Sequence, residues 1–161
     1  MAKKTVKTNA LRMLDRAKIR YFTRAYAVDE NDLTGEHVAA QLGLDPASVF
    51  KTLVLCGDKT GHIVACIPVA ASLDLKALAR ESGNKSVEML HVKDLFAITG
   101  YVRGGCSPVG MKKKYPTWFD ASCLALPELT VSAGQRGLQM VVETSELLAA
   151  TEAKTAEITV E

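Results

Sequence analysis

The stretch Val49-Phe50-Lys51-Thr52-Leu53-Val54-Leu55 sets the fold class of this chain. Its β-branched and aromatic residues favour an extended backbone, whose side chains alternate between two faces. Val49, Lys51, Leu53 and Leu55 share one face; Phe50, Thr52 and Val54 share the other. Each face holds one polar residue among apolar ones. Burying an unpaired ammonium costs several kcal/mol, so Lys51 must snorkel to water, find a partner or line a cavity. Two readings are open at this point: a lysine that blunts a strand edge, or a cation in a ligand site.

Outward from that strand, Gly57-Asp58-Lys59-Thr60-Gly61 has the composition of a hairpin loop, and residues 62–69 form a second strand candidate. Upstream, residues 9–18 place Leu11, Leu14 and Ala17 at helical spacing, and residues 19–27 turn aromatic and β-branched. Thr34 is set to cap a helix that turns Val38, Ala39 and Leu42 inward and stops at Gly43. Asp45-Pro46 restarts the chain in a turn or short helical piece. Downstream, residues 73–82 predict a helix with Leu75, Leu78 and Ala79 inward. Residues 92–99 predict another and residues 145–150 a short one, while residues 118–120, 129–132, 138–143 and 156–160 are strand candidates. Strands and helices alternate without a clean β-α-β rhythm. The expected class is therefore α+β, on a mixed, largely antiparallel sheet with flanking helices.

The 161 residues fit one domain, spanning 1–161, with no repeat, low-complexity tract or linker. At 48% hydrophobic and 24% charged, the composition supports a packed core. A net charge of +2 excludes a DNA-coating protein but leaves room for a local basic patch. No apolar run reaches membrane-span length, and no apolar segment follows Met1-Ala2-Lys3-Lys4-Thr5, so neither a membrane helix nor a signal peptide is expected. Cys56, Cys66, Cys106 and Cys123 form no C-x-x-C pair and have no histidine at zinc-like spacing. They read as reduced thiols of a cytoplasmic protein, and no metal site is expected. Met89, Met111 and Met140 read as core filler and Trp118 as a core anchor.

Two further segments carry candidate chemistry. Residues 100–110 hold four glycines and a proline, and consecutive N–H groups at Gly104-Gly105-Cys106 suit an oxyanion or carboxyl-like group. Directly after it, Met111-Lys112-Lys113-Lys114-Tyr115, with Arg103, makes a basic patch suited to a phosphodiester, or a solvated charge run. Cys106 as a nucleophile, with His37, His62 or His91 as base, finds no support in spacing.

Three blocks together resemble the YbaK/EbsC family, free-standing relatives of the editing domain inserted in bacterial prolyl-tRNA synthetase. They are Val49-Phe50-Lys51-Thr52-Leu53-Val54, then Gly104-Gly105-Cys106-Ser107-Pro108-Val109-Gly110 with Lys112-Lys113, then Val131-Ser132-Ala133-Gly134-Gln135-Arg136-Gly137-Leu138. The resemblance runs from about Asn9 to the C-terminal helix. It implies an α+β fold on a mixed sheet or partial barrel, and removal of a wrongly attached amino acid from transfer RNA without metal or cofactor. The implied substrate is cysteine on the proline tRNA, with cysteine tRNA as a second carrier and the substrate thiol as its own nucleophile.

The resemblance puts the essential lysine on Lys51 and the pocket glycines on Gly104 and Gly105. Tyr26, Thr52, Ser107 and Gln139 fall as substrate contacts, and Arg103, Lys112, Lys113 and Lys114 as tRNA contacts. This chain departs from the pattern at Thr34, where an aromatic residue is frequent before Gly35, and at Gln139, where an aspartate is frequent. The expected partners are the 3′ end of aminoacyl-tRNA and prolyl-tRNA synthetase, with no membrane or DNA. Two rival readings stay open: an alanyl-tRNA(Pro) deacylase, and a non-catalytic tRNA-binding adaptor of prolyl-tRNA synthetase.

Overall fold

The computed structural model describes residues 7–160, so the N-terminal residues read for a targeting signal lie outside the described residues. The chain opens with α1 (Asn9–Arg16), capped by Thr8, whose hydroxyl accepts from Leu11 N at 3.2 Å, and turns Ala10, Leu11 and Leu14 inward. β1 (Tyr21–Ala25) follows. α2 (Gly35–Leu42) begins at the Thr34 cap and ends at left-handed Gly43, as its composition predicted. Asp45 caps a single 3-10 turn (Pro46–Ser48) that leads into the hairpin of β2 (Phe50–Gly57) and β3 (Gly61–Pro68).

Then come β4 (Ser72–Leu73), α3 (Leu75–Ser82), β5 (Val87–Met89), α4 (Val92–Thr99) and β6 (Thr117–Asp120). The chain closes with β7 (Glu128–Gln135), β8 (Leu138–Glu143), α5 (Thr144–Thr151), β9 (Lys154–Ala156) and β10 (Thr159–Val160).

Five strands in the order β5-β2-β3-β6-β9 form a mixed sheet, antiparallel at β5-β2-β3 and parallel at β3-β6-β9. A second, antiparallel sheet has the order β1-β8-β7, and β10 pairs with β4 apart from both. The two larger sheets touch through one parallel bridge, Val49 to Thr130, and close no barrel among the described residues. The architecture is thus α+β.

The main core lies where the two sheets face each other. Phe50, Val54, Val64 and Phe119 from one sheet meet Leu129, Val131, Met140 and Val142 from the other, with Leu11 and Leu14 of α1 sealing one side. On the far side of the larger sheet, Leu55, Ile63, Ile67 and Trp118 are covered by Leu78 and Ala79 of α3. Burying each such side chain contributes about 1.5–3 kcal/mol.

Four local expectations change. The helix expected over 73–82 starts later, because Ser72 and Leu73 pair with β10 and Asp74 caps α3 through Ala77 N. Leu75, expected inward, sits in the first turn and is 42% exposed. The strand expected over 156–160 splits in two, because Asp120 Oδ1 accepts from Ile158 N at 3.1 Å and anchors the chain between β9 and β10. Met140 and Trp118 are buried and Met111 packs against the core, but Met89 lies on the edge strand β5 and is largely exposed.

Candidate active site

The site follows from a gap in strand pairing. β2 is paired with β3 along its whole length, but β5 joins its other side only at residues 55–57. β7 reaches it only at Val49. Between those points β2 and β7 diverge, and a cavity of about 300 Å³ occupies the divergence. Lys51, Thr52 and Leu53 form one wall; Ser132 of β7 and Gln139 of β8, directly opposite each other in register, form another. Tyr26 closes one end. The first turn of α2, with Thr34 and Glu36, and the Arg103-Gly104 turn complete the rim.

Lys51 is half-buried and, among the described residues, makes no ion pair. It neither blunts an outer edge nor rests on a carboxylate; it lines the cavity. Beside it, Thr52 accepts a weak hydrogen bond from the Cys66 thiol at 3.7 Å. Cys66 is fully buried, and that burial raises its thiol pKa far above the usual range. Gln139 is only 6% exposed, yet its amide has no hydrogen-bond partner among the described residues. Because Gln139 lines the cavity, its amide is open to whatever occupies that space.

The glycine-rich loop divides into two roles. Gly105 N donates to Val102 O at 2.9 Å, closing a turn with Gly104 at φ +83°, the third position where a type II turn needs positive φ. An added Cβ on Gly105 would stand 2.9 Å from Arg136 N and Gln135 C. Gly105 therefore packs backbone against backbone on the β7–β8 turn, and Arg136 Nε donates to Arg103 O at 2.8 Å to lock it there. The oxyanion role expected of the Gly105 amide is corrected accordingly: its N–H is already spent. The amides of Gly104 and Cys106 have no acceptor among the described residues, and both residues line the cavity.

Ser107 is also displaced from its expected role. It is fully buried, and its hydroxyl accepts from Val109 N at 3.3 Å. Cys106 does face the cavity, but burial pushes its thiol pKa up to about 12, so it stays protonated near neutral pH. The lysine run lies elsewhere: Lys112, Lys113 and Lys114 border a separate cleft of about 190 Å³ with Met13 and Tyr115.

The structure thus brings Tyr26, Lys51, Thr52, Arg103, Gly104 and Gln139 together and leaves Gly105, Ser107 and the three lysines outside the cavity. Sequence reasoning had not assigned roles to Ser132 and Glu36. Ser132 lay within a block already singled out, two residues before Gly134. Glu36 carries no comparable signal beyond its place in the first turn of a well-capped helix.

Comparison with known proteins gives the family and agrees with the fold. The pattern of the aminoacyl-tRNA editing domain matches residues 29–150. A protein of Enterococcus faecalis named "Putative Cys-tRNA(Pro)/Cys-tRNA(Cys) deacylase EbsC" is 50% identical over 161 residues, covering 99% of this chain and 98% of the relative. A solved structure described as a "putative trans-editing enzyme for prolyl tRNA synthetase" shares the fold, with a TM-score of 0.81 at 23% identity over 98% of this chain and all of that one. Another, described as a hypothetical protein, superimposes with a TM-score of 0.86 at 20% identity, covering 95% of this chain and all of that one. With its residues 29–150 spanning most of its length and enclosing the cavity walls from Thr34 to Gln139, the chain belongs to the aminoacyl-tRNA editing domain family.

Proposed function

We propose that the whole chain acts as one trans-editing deacylase, removing cysteine from tRNA(Pro) and from tRNA(Cys) in the cytoplasm. The observation that carries this reading is the cavity at the β2–β7 divergence. Among the described residues, it offers Lys51 and Arg103 without ion-pair partners, and amides at Gly104 and Cys106 without acceptors. The full-length likeness to the E. faecalis protein supports the choice of substrate.

An aminoacyl ester is already activated, so the site has to hold it, polarise its carbonyl and direct a nucleophile. Gly104 N–H and Cys106 N–H face the position of the carbonyl oxygen. Lys51 holds the ester or terminal ribose through charge-assisted hydrogen bonds. Tyr26, Thr52 and Gln139 shape the space for the aminoacyl side chain.

With the Cys106 thiol protonated, the attacking sulfur is the substrate's own. Its thiolate attacks the carbonyl carbon, the bond from that carbon to the ribose oxygen breaks, and the ribose oxygen takes up the proton that the thiol released. The carbon–sulfur bond formed closes a cyclic thioester. Docking on prolyl-tRNA synthetase would place the enzyme where mischarged tRNA(Pro) is released.

The test is single-turnover deacylation of cysteinyl-, seryl- and alanyl-tRNA on one tRNA body. Cysteinyl-tRNA is expected to be cleaved far faster than seryl-tRNA, because a thiol ionises much nearer neutral pH than a hydroxyl. Its rate should rise with pH toward the substrate thiol's pKa, with no contribution near neutral pH from Cys106, whose thiol burial keeps protonated there. A pocket reading size alone would separate the two by only ~1–2 kcal/mol. Equal rates for serine and cysteine would remove the substrate thiol from the mechanism, and fast cleavage of alanyl-tRNA would replace the substrate.

A further inference from the structure

On the smaller sheet, Ser132, Gln139 and Arg24 are directly opposite one another across β7, β8 and β1. Residues paired in this way project their side chains from the same face. Ser132 and Gln139 line the cavity, so Arg24 continues the row outward to the sheet edge, with Tyr26 two residues along on the same face. Arg24 Nε is buried and has no hydrogen-bond partner, alone in this among the buried side-chain nitrogens and oxygens of the described residues. No carboxylate pairs with the guanidinium among the described residues. Its guanidinium carbon lies over the Phe22 ring, 5.1 Å from the centroid, a contact that supports the group without using its N–H donors.

A charged donor shielded from water and left unpaired needs an external acceptor. The chemistry of the substrate says which. An aminoacyl-tRNA ester has no carboxylate, and its amino group is a cation or a neutral amine. The only anions it brings are phosphates. A guanidinium fork matches two phosphate oxygens at once. We propose that Arg24 binds a phosphate of the substrate's 3′-terminal nucleotides as they leave the cavity over the edge of β1, with Phe22 as its support. This rests on the deacylase reading above and assigns the phosphate-contacting side chain of the same site.

The experiment uses Arg24→Gln and Arg24→Lys with two substrates, cysteinyl-tRNA and cysteinyl-adenosine; the second carries the ester and ribose but no phosphate. Arg24→Gln is expected to raise KM on cysteinyl-tRNA about tenfold with little change in kcat, and to change kcat/KM on cysteinyl-adenosine less than twofold. Arg24→Lys should recover part of the loss, since it keeps the charge without the fork. The salt dependence of tRNA binding should fall by about one phosphate contact in Arg24→Gln. Equal losses on both substrates, or no loss on either, overturn the proposal. Binding of a cytidine-cytidine-adenosine trinucleotide, set against adenosine, keeps the test independent of turnover. If the wild-type protein cleaves neither ester, the deacylase reading fails, and Arg24 is still decided by whether Arg24→Gln weakens the trinucleotide and spares adenosine.

Discussion

Two cationic regions flank the glycine-rich loop, and they differ in what their charges already do. In the lysine run, the Lys112 ammonium donates to Ala97 O at 3.4 Å and sits over the Phe96 ring, while Lys114 pairs with Glu152 at 2.9 Å. Only Lys113 of the three has no partner among the described residues. Around the cavity the situation is reversed: Lys51 and Arg103 are isolated in sequence and make no ion pair among the described residues. A cluster of like charges recruits local partners to relieve its own repulsion. A lone lysine in an apolar strand has none nearby and stays available for a ligand.

The largest test of this contrast is Lys51→Ala. The variant should fold, because the ammonium packs into no core cluster. It should lose about 10²–10³ in kcat/KM, corresponding to ~2–4 kcal/mol of transition-state stabilisation. Wild-type turnover with thermal unfolding unchanged would take the cavity out of the chemistry.

Next in size is Gly105→Ala. Its Cβ would meet the backbone of Gln135 and Arg136, which has no flexible side chain to yield. Overpacking of this kind costs about 1–3 kcal/mol. Chemical denaturation should show that loss as a lower midpoint with an unchanged m-value. An unaffected midpoint would mean that the loop does not seat on the β7–β8 turn.

The smallest effect is expected from neutralising Lys112, Lys113 and Lys114 together. With two of the three already engaged, the salt slope of tRNA affinity should fall by about one unit and not three. A fall of three would show that RNA displaces the Ala97 and Glu152 contacts, and the contrast between the two regions would disappear.

Much of the fold was legible because local signals agreed with tertiary ones. Thr34 and Gly43 bracket α2 as read, and the Gly57 to Gly61 segment turns β2 into β3. The alternation around Lys51 left it either an edge lysine or a cation facing a cavity, and in the structure it lines the cavity. What could not be read was which strands meet across long sequence separations. β6 runs parallel to both β3 and β9, β10 leaves to pair with β4, and Asp120 accepts from Ile158 N, 38 residues away, between β9 and β10.

The same limit hid part of the second cavity wall. Ser132 and Gln139 face each other across the β7–β8 hairpin, and Arg24, far earlier in the chain, joins their row only through the register of β1 with β8. Gly104 and Gly105 look alike as a pair. The structure separates them: Gly104 lines the cavity, while Gly105 spends its amide on Val102 O and packs against the β7–β8 turn.

The Val49 to Thr130 bridge gives the site a spine, like the binding of a half-open book. Lys51 stands on one page and Ser132 and Gln139 on the other, so a small rotation at the spine is multiplied at the page edges. Thr130 is buried and does not line the cavity. The width of the cavity is thereby set partly from a position that does not line it.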